Sequence, residues 1–166
     1  MGALAAERYV ARVALIPVAD LVSAGVRCVL LDRDNTCVPL GSSQAPQEVL
    51  DWIAEVHAAG ISTCVVSNNI HVREVTRSAR LLGSQAVACA FKPAPFSVWV
   101  ALRKMGVSRG EAVLVGDQVF TDVLAARLAD VRAILVRPQT RRDLYARPLR
   151  LLERRVLGAH RFEGER

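Results

Sequence analysis

Five short β-rich apolar runs alternate with four helix-like stretches through the middle of this chain, and that alternation limits the fold more than any other feature. The runs are VRCVLLD (26–32), ISTCVVS (61–67), AVACAF (86–91), AVLVGD (112–117) and RAILVR (132–137). Between them lie PQEVLDWIAEVHAAG (46–60), HVREVTRSARLLG (71–83), PFSVWVALRKMG (95–106) and VFTDVLAARLAD (119–130). Three of these stretches end in Gly60, Gly83 and Gly106, as helices commonly do, and two begin at a proline. Apolar runs with no polar alternation belong to strands covered on both faces, which means a parallel sheet. Right-handed crossovers then wind the helices onto both sides. The expected fold is α/β, a three-layer doubly wound parallel sheet. A chain of 166 residues is expected to form one domain, its core at about 26–137.

In such sheets ligands bind at the carboxyl ends of the strands. The first run ends in Asp32, with Asp34 two residues on, and the second in Ser67 followed by Asn68 and Asn69. Lys92 follows the third, and the fourth opens GDQVFTD with Asp117 and Asp122. Nearly every side chain able to do chemistry therefore falls on one rim. Carboxylates gathered in one place repel one another unless a cation joins them, and a hard oxygen-seeking ion such as Mg2+ fits that need. Lys92 and the Ser67 hydroxyl suit the remaining oxygens of a phosphoryl group. One carboxylate can then attack phosphorus while a second carries protons.

Charge and cysteine content narrow the setting. The net charge is +6, and residues 137–166 hold nine arginines against four acids, so +5 of it lies in that stretch. Residues 147–158 read as a basic amphipathic helix, with Leu149, Leu152, Val156 and Leu157 on one face. Packing on the body with the arginines in water is one expectation, and peripheral contact with an anionic membrane is another. Tyr9, Val10, Val13 and Ile16 could add apolar contact there. Charged residues within the first apolar stretch argue against a secretory signal, and no uncharged apolar run is long enough to span a bilayer. Cys28, Cys37, Cys64 and Cys89 form no C-x-x-C pair and read as small core residues of a cytoplasmic protein, placed in the cytoplasm or at the inner membrane face. Trp52 and Trp99 are expected in the core, and His57, His71 and His160 in solvent.

DRDNT, the apolar run ending in Ser67, Lys92 before Pro93, and GDQVFTD resemble, in order, the four signature motifs of the haloacid dehalogenase (HAD) superfamily phosphatases. More narrowly, SNN, KP and GDQxxTDVxxA resemble the YqeG family, capless phosphatases of HAD subfamily IIIA. Its relatives include the mitochondrial phosphatidylglycerophosphate phosphatase. The resemblance implies an Mg2+-dependent phosphomonoesterase with a Rossmann-like HAD core. It implies Asp32 as nucleophile and metal ligand, and Asp34 as general acid and base with its backbone carbonyl on the metal. Ser67 would hold phosphate; Asn68 reads first as a turn or cap residue, with phosphate contact the alternative. Lys92 would stabilise the aspartyl-phosphate, Asp117 ligate Mg2+, and Asp122 orient the metal's surroundings. Arg33 stands where the family usually has an apolar residue; in an extended segment it should point away from its neighbours, tuning the site or touching substrate.

Neither place where relatives insert a cap holds a spare domain, so a bulky phosphorylated substrate is expected to help close the site. Phosphatidylglycerophosphate leads; a nucleic-acid end or a phosphoprotein is the alternative. Few aromatics (5%) argue against a base-stacking surface, so a nucleic-acid partner is not expected. From other classes, a phosphoryl-accepting receiver would need an aspartate after the third strand, and a silent binding module would be expected to lack Asp32 or Asp34.

Overall fold

The computed structural model describes residues 5–140, 157 and 161–165. Its strands are β1 (Arg8–Val10), β2 (Cys28–Leu31), β3 (Ser62–Val66), β4 (Gln85–Val87), β5 (Ala112–Gly116) and β6 (Arg132–Val136). Its helices are α1 (Val18–Ser23), α2 (Gln47–Ala58), α3 (Val72–Leu81), α4 (Phe96–Met105) and α5 (Leu124–Leu128). The strands form one parallel sheet in the order β1-β6-β5-β2-β3-β4. Prolines 17, 46 and 95 cap the starts of α1, α2 and α4, where a missing N–H costs nothing. Gly106 ends α4 in the left-handed conformation, and Val107 N–H then reaches back to the Leu102 carbonyl.

Alternate residues of the central strands feed two apolar layers. Val29, Leu31, Val65, Val113 and Val115 face α1, α2 and α3, where Trp52 and Val56 are buried. Cys28, Leu30, Cys64 and Leu114 face α4 and α5, packing on Val98, Ala101, Ala125 and Ala126. Three layers result because no face of β2 or β5 is left to water.

Several details differ from the sequence expectation. Tyr9 and Val10 lie in β1, which pairs with β6, and Val10, Val13 and Ile16 are buried, so these three side chains supply core rather than an apolar surface. Three residues are too few for a period-two pattern to register. The third run keeps strand geometry only over Gln85–Val87; Cys89 and Phe91 take positive φ, which breaks the extended chain before Lys92. Trp99 is 37% exposed, edge-on to the exposed ring of Phe96, because it lies on the outer face of α4. Cys89 is only half-buried, unlike the other three thiols. His57 is half-buried, within hydrogen-bond distance of the Thr63 hydroxyl; His71 is exposed. The helix expected at 147–158, like His160, lies outside the described residues apart from Leu157, which packs against the α4–α5 layer.

Residues 161–165 run beside β1. Glu163 exchanges backbone hydrogen bonds with Tyr9 and Ala11, and its carboxylate pairs with Arg8. Phe162 is buried edge-on against Tyr9, with the Arg137 guanidinium over its ring. Phe162→Ala should lower stability by about 2–3 kcal/mol, at the low end for removal of a buried ring because this one sits at the sheet edge. Urea unfolding with an unchanged m-value checks it.

Candidate active site

β2 and β5 are neighbours at the middle of the sheet, and the chain leaves them in opposite directions, from β2 to β3 on one side and from β5 to β6 on the other. The loops after them must diverge, leaving a crevice at their carboxyl ends. Asp32 and Asp117 stand on its two sides, one residue past each strand, and the Asp32 N–H is tied to the Val115 carbonyl at 2.9 Å. Ser67 directly follows β3, fully buried, its Oγ accepting from the Asn69 N–H at 3.1 Å. Asp122 enters from a π-helical turn over Val119–Val123 that precedes α5.

Lys92 reaches this point from the loop after β4. Its Nζ donates to Asp32 Oδ1 at 2.7 Å and to Asp122 Oδ1 at 2.5 Å, with all three side chains buried. The other oxygen of Asp122 accepts from the Gln118 N–H at 3.1 Å. Asp32, Asp117 and Asp122 each place a carboxylate oxygen within 4.8 Å of the others. Once all three carboxyls are ionised, one ammonium leaves two negative charges in a buried space, which a divalent cation balances. With Asp122 engaged by Lys92 and Gln118, Asp32 and Asp117 are the oxygens best placed for it. One or two carboxylates with waters and a phosphate oxygen is how Mg2+ is usually held.

Burial pushes the Asp32 carboxyl up to about 7, against the pull of the Lys92 charge and with Asp122 adding to the rise. Burial pulls the Lys92 ammonium down, but Asp122 and then Asp32 outweigh it and hold the group above the ordinary lysine range. Lys92 therefore stays a cation and is no base.

Other expected residues stand differently. Asn68 spends its amide on the backbone of Lys92, donating to its carbonyl at 3.0 Å and accepting from its N–H at 2.7 Å. It straps the lysine loop to the Ser67 loop across 24 residues of chain, rather than closing the local turn expected from the sequence. Asp34 carries a partly exposed carboxylate turned onto the Arg33 guanidinium. Arg33 is 2% exposed, so it does not reach outward to substrate: α3 covers it and supplies its partners.

Some contributors were given no role by the sequence. Asn35, at φ 64°, accepts from the N–H groups of Leu40 and Thr140, and Gln139 donates to the Thr36 carbonyl at 2.6 Å, so the segment past β6 pins the Asp32 loop. Gly116 has a sharper reason to be glycine. A Cβ there would lie 2.3 Å from Asp122 Cγ.

A buried carboxylate cluster with a paired lysine, at the switch point of a parallel sheet, is the arrangement of a HAD-type phosphoryl-transfer site. A family model described as HAD-hydrolase-like matches residues 90–148. The probable phosphatase YqeG of Bacillus subtilis (strain 168) is 31% identical over 159 residues, 95% of this chain and 92% of its own. Among solved structures, an uncharacterized protein from Listeria monocytogenes serotype 4b superposes with a TM-score of 0.57 at 18% identity, covering 74% of this chain and 88% of that one. A 3-deoxy-D-manno-octulosonate 8-phosphate phosphatase from Yersinia pestis gives 0.53 at 13%, covering 79% and 71%. These structural likenesses show the fold. The relative over the full length shows the family: this chain belongs to the YqeG family of HAD-superfamily phosphatases.

Gly116→Ala should displace the Asp122 carboxylate and with it Lys92. Phosphate release should then fall about a hundredfold, as misplacement by an ångström does elsewhere, and thermal unfolding should shift down. Activity within a few-fold of wild type would show that the Asp122 contact does not matter.

Proposed function

We propose that this protein is an Mg2+-dependent phosphomonoesterase working through an aspartyl-phosphate on Asp32, with phosphatidylglycerophosphate as its leading substrate. The observation that carries the chemistry is the Asp32 carboxylate, 2.7 Å from a lysine held cationic and beside Asp117 at the strand-end crevice. An Asp32 oxygen attacks phosphorus and the bond to the leaving oxygen breaks, with Asp34 giving that oxygen its proton. Water then attacks the same phosphorus, Asp34 takes a proton back, and Asp32 leaves as carboxylate with inorganic phosphate released. Lys92 neutralises charge on the phosphoryl oxygens in both steps, Ser67 Oγ and nearby backbone N–H groups hold them, and Asp122 keeps Lys92 in place. Mg2+ would be held by Asp32, Asp117 and the Asp34 carbonyl, and supplies positive charge to the transferring group.

What surrounds the site supports this choice of substrate. Only residues 36–46 separate Asn35 from α2, and the stretch between Ser67 and Lys92 is taken up by α3 and β4, so among the described residues neither insertion point holds a cap over the crevice. Ile70 and Phe91, in the loops that carry Ser67 and Lys92, are 71% and 75% exposed, and Phe96 just beyond is exposed too. An open phosphate site rimmed by exposed apolar side chains, on a chain of net charge +6, suits an anionic phosphate monoester with an apolar body. Among the described residues no helix is long and apolar enough to cross a membrane. Peripheral contact with an anionic membrane is therefore the proposed way to meet a lipid.

Phosphate release should be strong from phosphatidylglycerophosphate in mixed micelles, disappear with chelator and return with Mg2+. It should fall below about a thousandth in Asp32→Asn, as loss of a nucleophile requires. Turnover of a small aryl phosphate alone would discard the lipid and keep the chemistry. A second expectation follows from Asp32. A metal must displace the proton that the raised carboxyl holds, so Mg2+ should bind more weakly as pH falls below about 7. Calorimetry in buffers of different ionisation heat should show proton release on binding near pH 7, and none near pH 9.

A further inference from the structure

We propose that Arg33, the residue between the two motif aspartates, is a positioning residue that fixes the Asp34 carboxylate for proton transfer. The proposal rests on the roles given above to Asp32 and Asp34. An arginine in an extended segment at a strand end is free to reach water, and a buried guanidinium is costly unless its donors are met. This one is 2% exposed with partners in three directions. Its Nε–H donates to the buried Ser78 Oγ at 2.9 Å, one terminal nitrogen to Glu74 Oε1 at 2.6 Å, and the other to Asp34 Oδ1.

Glu74 and Ser78 lie four apart on α3, one turn of a single helix face. Val75 and Ala79 beside them are buried in the core, so that face cannot drift. The planar fork of Arg33 therefore carries the rigidity of α3 to Asp34. Asp34 needs this support more than Asp32 does. Its side chain is 34% exposed, whereas Asp32 is enclosed and paired to Lys92. A half-exposed carboxylate left to itself samples several rotamers, and only some direct an oxygen at the leaving group. Backbone hydrogen bonds from Cys37 and Val38 to the Arg33 carbonyl hold the loop's path, leaving the side-chain direction to the guanidinium.

A mere staple between loop and helix predicts equal damage to all substrates. Positioning of a proton donor predicts damage that grows as the leaving group worsens. The test is kcat/KM, which reports the first phosphoryl transfer, for 4-nitrophenyl phosphate and for an alkyl phosphate, glycerol 1-phosphate. Asp34→Asn serves as reference, since the alkyl substrate needs its leaving oxygen protonated and the nitrophenolate does not. Arg33→Met should cost the alkyl phosphate about a hundredfold, within the range of general acid catalysis, and the aryl phosphate less than about fivefold. Arg33→Lys, with charge but no fork, should recover only part of the alkyl rate. If Arg33→Met does not fold, Glu74→Gln and Ser78→Ala keep the guanidinium and should show the same selectivity, smaller. Equal losses on both substrates, or none, in these variants beside a selective Asp34→Asn would overturn the role of Arg33. An unselective Asp34→Asn would overturn the assignment of Asp34 as the acid, and this proposal with it.

Discussion

An ammonium held between two buried carboxylates, Lys92 between Asp32 and Asp122, is the interaction on which the rest of the site depends. Removing one partner from such a buried set costs about 3–5 kcal/mol, because the charge left behind has no water to turn to. The set is not self-sufficient either, since Asp117 brings a third carboxylate within reach of Asp32 and Asp122. With Asp32 ionised, the protein thus holds two negative charges that a phosphorylated substrate cannot approach alone and a divalent cation can reconcile. Burial makes that electrostatic demand steep, and the same burial makes the charges effective on a phosphoryl group.

The fold exists, in this view, to bring those charges together. Asp32 and Asp117 are far apart in sequence but lie past adjacent strands whose registers match, Leu31 opposite Val115. Lys92 arrives from the other half of the sheet on a loop of irregular backbone, secured by both ends of the Asn68 amide. Asp122 can stand behind it only because Gly116 has no side chain. Each support is local and short, as charge placement to a fraction of an ångström requires.

The layered α/β fold was legible because its central strands are buried on both faces and read as unbroken apolar runs, and because glycine and proline mark the helix ends. β1 was not, since three residues such as Arg8–Val10 leave no periodicity to detect. Asp32, Ser67 and Asp117 could be found from position alone, each one residue past a strand, whereas Lys92 and Asp122 stand five and six residues beyond theirs. What surrounds them could not. That Arg33 turns inward depends on Glu74 and Ser78 of a helix forty residues away, and that Gln139 and Thr140 brace the first loop depends on β6 lying two strands from β2. Trp99 shows the opposite error: an aromatic at helical spacing lies on the outer face because the neighbouring positions, Val98 and Ala101, already fill the inner one.

The central claim is that the Asp32 carboxylate becomes covalently phosphorylated during turnover. The direct measurement is acid quench of enzyme mixed with substrate and Mg2+, followed by peptide mass spectrometry. A phosphoryl group on the peptide containing Asp32, labile to hydroxylamine and absent without Mg2+ or in Asp32→Asn, is the result this account predicts. Turnover with no phosphorylated peptide trapped under single-turnover conditions, or a phosphoryl group on any other residue, would contradict it.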